Sequence, residues 1–416
     1  MSMTNGWTGG QYSLFRVIFG AYLFIHFGQL IPWGTEIFSN QGVLPQASAS
    51  PLIYVFPNIL AVWDSPAFVT ALLVMAAGGS VFFAIGYYDR VAAILVWYIW
   101  ACLFGRNPLI ANPSLPYVGW LLLAHACLPP APYGSWAARD RVDPVGSWQM
   151  PGSIYTVAWI LMAVGYSYSG YTKLVSPSWV DGTAAVRVLE NPLARPGLIR
   201  EMLLSLPDGM WRLATWGSLV GELAFAPLAL FRLLRPWLWG LMLLMHLSLM
   251  VLIDFADLSF GMVMLHLFTF DPAWVQPKRA VAATETLFYD GHCGLCHRAI
   301  RFVLAEDRSG DTFRFAPLGS EAFCTAIPEP HRAGLPDSIV VRTAAGMLLA
   351  RSAAILHILQ RLGGVWRVIG AVLTVIPAVI LDGAYNGVAR VRHVLFSRPA
   401  EACPLMPPHL RQRFDT

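Results

Sequence analysis

Two cysteines two residues apart, Cys293 and Cys296 in the stretch Leu287 to Ile300 (LFYDGHCGLCHRAI), are the residues of this sequence best suited to chemistry. An apolar run, Leu287 to Tyr289, meets a glycine-containing turn, and Cys296 to Leu304 has helical spacing, which predicts Cys293 at a helix N-terminus. Unpaired N–H groups and the helix dipole favour a thiolate there. A C-x-x-C so placed after a strand reads as a redox dithiol, with Cys293 the exposed nucleophile and Cys296 the resolving thiol. Half of a zinc site is the alternative. Zinc needs a second ligand pair, and the sequence holds no other C-x-x-C and no H-x-x-x-H, so redox chemistry is favoured and no metal is expected.

A second stretch, Ser167 to Gly182 (SYSGYTKLVSPSWVDG), places Tyr166, Ser169, Gly170 and Lys173 on one helical face. Lys173 is one of two lysines among 28 basic residues. A lysine that only snorkels to an interface is the commoner use. A desolvated lysine can also give up its proton near neutral pH, which arginine cannot. Glu222 and His246 lie in apolar segments, where an ionisable side chain faces a cavity or a partner. Cys102 and Cys127 read as small core residues.

Both stretches resemble known families. Tyr289 to Cys296 resembles the D-x-x-C-x-x-C opening of the DCC family of thiol-disulfide oxidoreductases, and further matches follow at Leu335 to Ser338, Arg351-Ser352, Asp382 to Tyr385 and Cys403. That resemblance covers about the last third of the chain. It implies a thioredoxin-like fold in which Asp290 and Cys403 support the dithiol and a cis-Pro336 faces it, an ordinary trans proline being the alternative. Gly170 to Leu174 followed by Trp179 to Gly182, with Ser259 to Met262, resembles vitamin K-dependent gamma-carboxylases, and Leu14 to Pro272 resembles the horizontally transferred transmembrane domain that includes them. This second resemblance implies that Lys173 deprotonates a hydroquinone, with Trp179 and Asp181 beside it. Two departures stand against glutamate carboxylation: Asn112-Pro113-Ser114 occupies the place of that family's Asn-His-Ser, and the large lumenal domain is missing.

The elements that must hold these residues follow from composition. The 416 residues are 56% hydrophobic and 12% charged, about half the charge of soluble domains. A net charge of +4 without a long basic run gives no case for nucleic acid, and six cysteines without a regular framework argue against a disulfide-stapled secreted protein. Apolar segments predict about eight spans: Leu14 to Trp33, Phe68 to Tyr88, Val91 to Gly105, Leu115 to Leu128, Ile154 to Thr172, Trp211 to Phe231, Trp237 to Ile253 and Leu258 to Val275. After Leu287 the pattern is strand, dithiol, helix, three further strands and a helix at Ser352 to Leu362. A second apolar helix is expected around Val365 to Leu381, in the core or on the membrane surface. The expected fold is therefore a polytopic α-helical membrane domain fused to a small α/β thioredoxin-like domain, divided as 1–275, a linker 276–286, and 287–416.

Arginines and lysines near the span ends place both termini and the dithiol domain in the cytoplasm of an integral membrane protein of the bacterial inner membrane. The function these readings support is a membrane-bound oxidoreductase whose partners are membrane lipids and a thiol, disulfide or quinone, with a quinone or hydroquinone as the expected cofactor. Two alternatives remain open: a transporter or lipid-binding protein with a regulatory redox tail, and a scaffold that recruits a partner by mixed disulfide.

Overall fold

A computed structural model describes residues 5–146, 148–254, 256–277, 284–336, 338–396 and 406–415. It is mostly helical, with one small mixed sheet near the C-terminal end. The chain divides into two compact units, one comprising residues 15–128 and 151–270 and the other residues 5–14, 129–150 and 271–416.

The first unit is a set of helices: α1 (Gly9–Leu30, which enters it at Phe15), α2 (Pro66–Ile85), α3 (Asp89–Arg106), α4 (Leu115–Cys127), α5 (Gly152–Lys173), α6 (Asp208–Leu223), α7 (Phe225–Ala229), α8 (Arg235–Leu252) and α9 (Ala256–Thr269). Sequential neighbours pack as α2 on α3 and α3 on α4, while α5 packs on α6, α7 and α9. Phe19 meets Phe83 edge to face at 5.5 Å, and Arg16 and Arg106, both fully buried, pair with Asp89 at 3.6 Å and Asp64 at 3.0 Å. A buried guanidinium is tolerated only when paired in this way.

The predicted spans are largely helical, but the expectation of about eight is corrected: among the described residues three helices are long and apolar enough to cross a membrane, the α1 region, α2 and α8, or four if the bent pair Gly364–Leu373 and Ala378–Arg392 counts as one span. The others fall short for identifiable reasons. Helices α4 and α9 have 13 and 14 residues against the roughly 20 a bilayer needs. Helix α3 carries Asp89, Arg90 and Arg106, and α5 is dotted with hydroxyl side chains. The segment expected from Trp211 to Phe231 breaks at Ala224 between α6 and α7.

The second unit holds the sheet. Strand β1 (Glu285–Tyr289) leads into α10 (Gly294–Glu306), followed by β2 (Phe313–Pro317), β3 (Val340–Arg342), β4 (Leu348–Ala350) and α11 (Arg351–Leu362). Strand order is β2-β1-β3-β4, with β1 parallel to β2 and antiparallel to β3, and β3 antiparallel to β4. Side chains alternate across the sheet as the period of two requires. Leu287, Tyr289, Phe313, Phe315 and Val341 face Ile300, Leu304, Ala354 and Ile358, whereas Phe288, Ala316 and Val340 face Phe323 and Ile327.

The single apolar helix expected around Val365 to Leu381 is corrected to two. Helix α12 (Gly364–Leu373) and α13 (Ala378–Leu395) diverge by 114° across Pro377, which has no N–H to continue a helix. Gly363 and Gly364, with φ of +75° and +57°, turn the chain from α11 into α12 in a conformation that side-chain-bearing residues resist.

Residues 5–14 and 129–150 pack into this same unit. Tyr12 stacks on Trp148 at 5.1 Å, and the buried Glu306 carboxylate accepts from the Thr8 hydroxyl, the Gly10 N–H at 2.9 Å and the Trp366 indole N–H at 2.6 Å. A Cβ at residue 10 would meet Glu306 Oε1 at 2.4 Å, so any larger residue there must displace that carboxylate.

Candidate functional site

The turn from β1 into α10 sets the dithiol. Asp290 Oδ1 accepts from the His292 N–H at 2.9 Å and its carbonyl from the Cys293 N–H at 3.3 Å, which tightens the chain ahead of the helix. Cys293 is the N-cap of α10: its Sγ accepts from the Cys296 N–H at 3.4 Å, a donor with no intrahelical partner in the first turn. His297 closes the turn from the other side, with Nε2 2.8 Å from the Gly291 carbonyl oxygen.

The expected exposure of Cys293 is corrected. Cys293 is 0% exposed and packs with Leu287, Tyr289 and Ile300, and Cys296 is 5% exposed. The pair lies in the core that β1, β2, β3, α10 and α11 enclose, and beside the turn Arg392 of α13, 4% exposed, reaches Asp290 Oδ2 at 3.5 Å. Both sulfurs are free thiols. Burial, and secondarily the neighbouring Cys293 sulfur, pushes the Cys296 thiol well above its ordinary value.

Cys296 opens onto a cavity of about 370 Å³ lined by Leu295, Ile339, Ile355, Leu373, Leu381 and Val388, with Ser352, Tyr385 and Arg392 as its polar groups. The sequence matches downstream of the dithiol converge at its wall. Ser352 Oγ donates to Asp382 Oδ1 at 2.5 Å, the Ile339 N–H to the Tyr385 hydroxyl at 3.0 Å, and the Arg351 N–H to Ser338 Oγ at 3.4 Å. Arg351 itself adopts φ +54°, a left-handed conformation that costs a non-glycine residue of order 1 kcal/mol and is held here by its neighbours. Pro336 is half-buried in the loop before β3 and does not line the cavity. The cis expectation is corrected: the Leu335–Pro336 bond is trans, the form an X–Pro bond prefers. Cys403 lies outside the described residues.

The first unit places the lysine constellation together. Lys173, at the end of α5, sits with Nζ 2.5 Å from both carboxylate oxygens of Glu222 on α6 and 4.3 Å from the centre of the Trp179 ring. The pair borders a second cavity of about 660 Å³, where His246 Nε2 is 2.9 Å from the Tyr166 hydroxyl. Asp181 stands apart from this cavity, accepting from the Thr183 N–H at 2.9 Å and hydroxyl at 2.7 Å.

Two participants, Arg392 and Tyr117, were not legible as such in the sequence. Arg392 could have been found from its spacing, since Tyr385, Val388 and Arg392 fall on one helical face. Tyr117 lines the larger cavity from α4, and nothing in its local sequence marks it, whereas Met262, which lines it from α9, belongs to the stretch Ser259 to Met262 already singled out. Among the described residues no three His, Cys, Asp or Glu side chains gather as a metal site.

Residues 287–398 match the family model described as DCC1-like thiol-disulfide oxidoreductase. The uncharacterized protein YuxK of Bacillus subtilis is 30% identical over 134 residues, which is 31% of this chain and 93% of that protein. A chloroplastic DCC family protein of Arabidopsis thaliana is 29% identical over 119 residues, 29% of this chain and 68% of that protein. No solved structure matches the chain.

Proposed function

The chain belongs, through its C-terminal domain, to the DCC1-like thiol-disulfide oxidoreductase family, and on that premise we propose that Cys293 and Cys296 exchange electrons with a thiol or disulfide partner at the membrane. The observation that carries this reading is the Cys293 sulfur at the N-cap of α10, receiving the Cys296 amide, with Cys296 one turn on at the cavity wall. The strand order and the β-α-β, β-β-α succession agree with the thioredoxin-like fold that the DCC resemblance implies, which supports the same reading.

In the forward direction the Cys293 sulfur attacks one sulfur of a partner disulfide. A new S–S bond forms as the partner bond breaks, and the departing thiolate takes a proton. Cys296 then loses its proton and attacks Cys293 Sγ, releasing the second partner thiol. Two electrons have passed to the partner, and the domain is left as a disulfide. The raised Cys296 thiol suits the second role, since it stays protonated until the mixed disulfide forms. Cys296→Ser should trap the mixed disulfide, seen as a partner-sized mass shift reversed by reductant, and Cys293→Ser should not. Trapping by Cys293→Ser instead would exchange the roles.

A second reading concerns the first unit. Lys173, held between Glu222 and the Trp179 ring at the edge of an apolar cavity, would meet a lipophilic hydroquinone there if the resemblance to gamma-carboxylases extends to chemistry. We read the lysine–carboxylate pair as the group that receives its proton. Three helices apolar enough to span, among the described residues, support reading the protein as a membrane-bound oxidoreductase. Lys173→Arg keeps the charge and cannot release a proton. Loss of oxygen uptake with a reduced quinone in that variant supports the reading, and unchanged uptake removes it.

A further inference from the structure

The cavity beside Cys296 has an unusual wall. Leu373 comes from the end of α12, and Leu381 and Val388 come from α13, so both arms of the 114° bend enclose it. The outer side of the bend is apolar: Val372 is 64% exposed, Val375 85%, Val379 84% and Ile380 60%. Helix α12 meets its own unit through other residues, the Val365 N–H with Gln11 Oε1 at 3.2 Å, the Trp366 indole with Glu306 and Arg367 with the Gln276 carbonyl at 2.9 Å. A contiguous apolar patch of this kind marks an interaction surface rather than a water-facing one.

Charge identifies the occupant. Between residues 364 and 395 the only carboxylate is Asp382, which is bonded to Ser352, while Arg367 is half-buried and Arg390 exposed, the third arginine, Arg392, being buried against Asp290. An apolar elbow flanked by arginines is the composition of a segment lying in a membrane surface with anionic headgroups. The same chain carries three helices able to span a bilayer, so the membrane is at hand.

We propose that the elbow between α12 and α13 seats in the bilayer surface and that the cavity behind it admits a lipid-soluble quinone, which oxidises the Cys293–Cys296 dithiol. This deepens the redox reading of the dithiol and rests on it. The step balances: the two thiols give up two electrons and two protons and form one S–S bond, and the quinone takes both to become a hydroquinone. Arg392 and Tyr385 are the cavity groups that can stabilise charge developing on the quinone oxygens, and the remaining walls match an apolar ring and tail.

The test uses the full chain in lipid nanodiscs containing anionic phospholipid, with dithiol oxidation followed by mass after alkylation. Two oxidants are compared, decylubiquinone from the lipid phase and hydroxyethyl disulfide from water. The double variant Val375→Asp/Val379→Asp alters residues that stand in the open, so the fold is retained. It should slow oxidation by decylubiquinone about tenfold, because a carboxylate is expelled from the lipid, and leave the hydroxyethyl disulfide rate unchanged. A photoactivatable phosphatidylcholine should label 372–380 in the wild type and not in the variant. Unchanged decylubiquinone rates, cross-links of the elbow to a second copy, or absence of lipid adducts there while α2 is labelled would overturn the proposal. Oxidation by hydroxyethyl disulfide alone removes the quinone and leaves the dithiol reading standing, and inertness to both removes that reading too.

Discussion

At Glu306 a carboxylate sits fully buried beneath donors from Thr8, Gly10, Gln11 and Trp366, and burial outweighs them, so its pKa is raised. Folding therefore takes up a proton at this position between the ordinary glutamate range and the raised value. The stability this confers is complete below the ordinary range and is lost as pH rises through the raised value. The unfolding temperature of the full chain should fall across that interval. In Glu306→Gln the fall should vanish, although one of those donors then faces an amide N–H and overall stability drops by about 1–3 kcal/mol. An equal slope in both proteins would assign the pH dependence elsewhere.

Helix α5 is joined to α6 by one charge pair, and Glu222 keeps only 2% of its side chain exposed. Removing one member of a buried pair typically costs about 3–5 kcal/mol, whereas removing both can be nearly neutral. Lys173→Met should therefore destabilise strongly, and Lys173→Met/Glu222→Gln should recover most of the loss in thermal melts. A double variant no better than the single would make Lys173 packing, not charge, the cause. This pairing was half legible: an ionisable residue in an apolar segment announces that it needs a partner, but residues 173 and 222 are brought together by packing, which local spacing does not encode. The dithiol was the most legible feature, because a strand, a turn and an N-cap are all short-range. Its burial was not, since the core that encloses it draws Phe313, Phe315, Val341 and Ala354 from elements well downstream of the turn. Span number failed for a related reason. Overall hydrophobicity counts apolar residues wherever they lie, and here many line short or broken helices packed inside the first unit.

For the whole molecule, the proposed membrane-bound reading makes a prediction about which side of the bilayer the dithiol unit occupies. The buried Cys293 and Cys296 make poor reporters, but Cys324 is exposed within the same unit, with Arg332 Nη1 2.9 Å from its sulfur. A membrane-impermeant maleimide added to intact cells should modify Cys324, identified by its peptide, only after the membrane is opened. Modification from outside would put the dithiol in an oxidising compartment and reverse the direction of exchange.

Residues 5–14 complete the unit that carries the dithiol, and this restricts how the domain can be moved. The relative YuxK aligns over 93% of its length with under a third of this chain, which invites treating that third as a cassette. In this chain the cassette has a seam. Cut at residue 287 and grafted to another protein, it would leave Glu306 at the far end of the dithiol helix without Thr8 and Gly10, and Arg301 without the Val142 carbonyl it reaches at 3.1 Å. A fusion meant to borrow this redox helix must bring those two distant strips with it or rebuild the seam with apolar residues. By the same logic, recombination that exchanges the C-terminal third alone should be selected against.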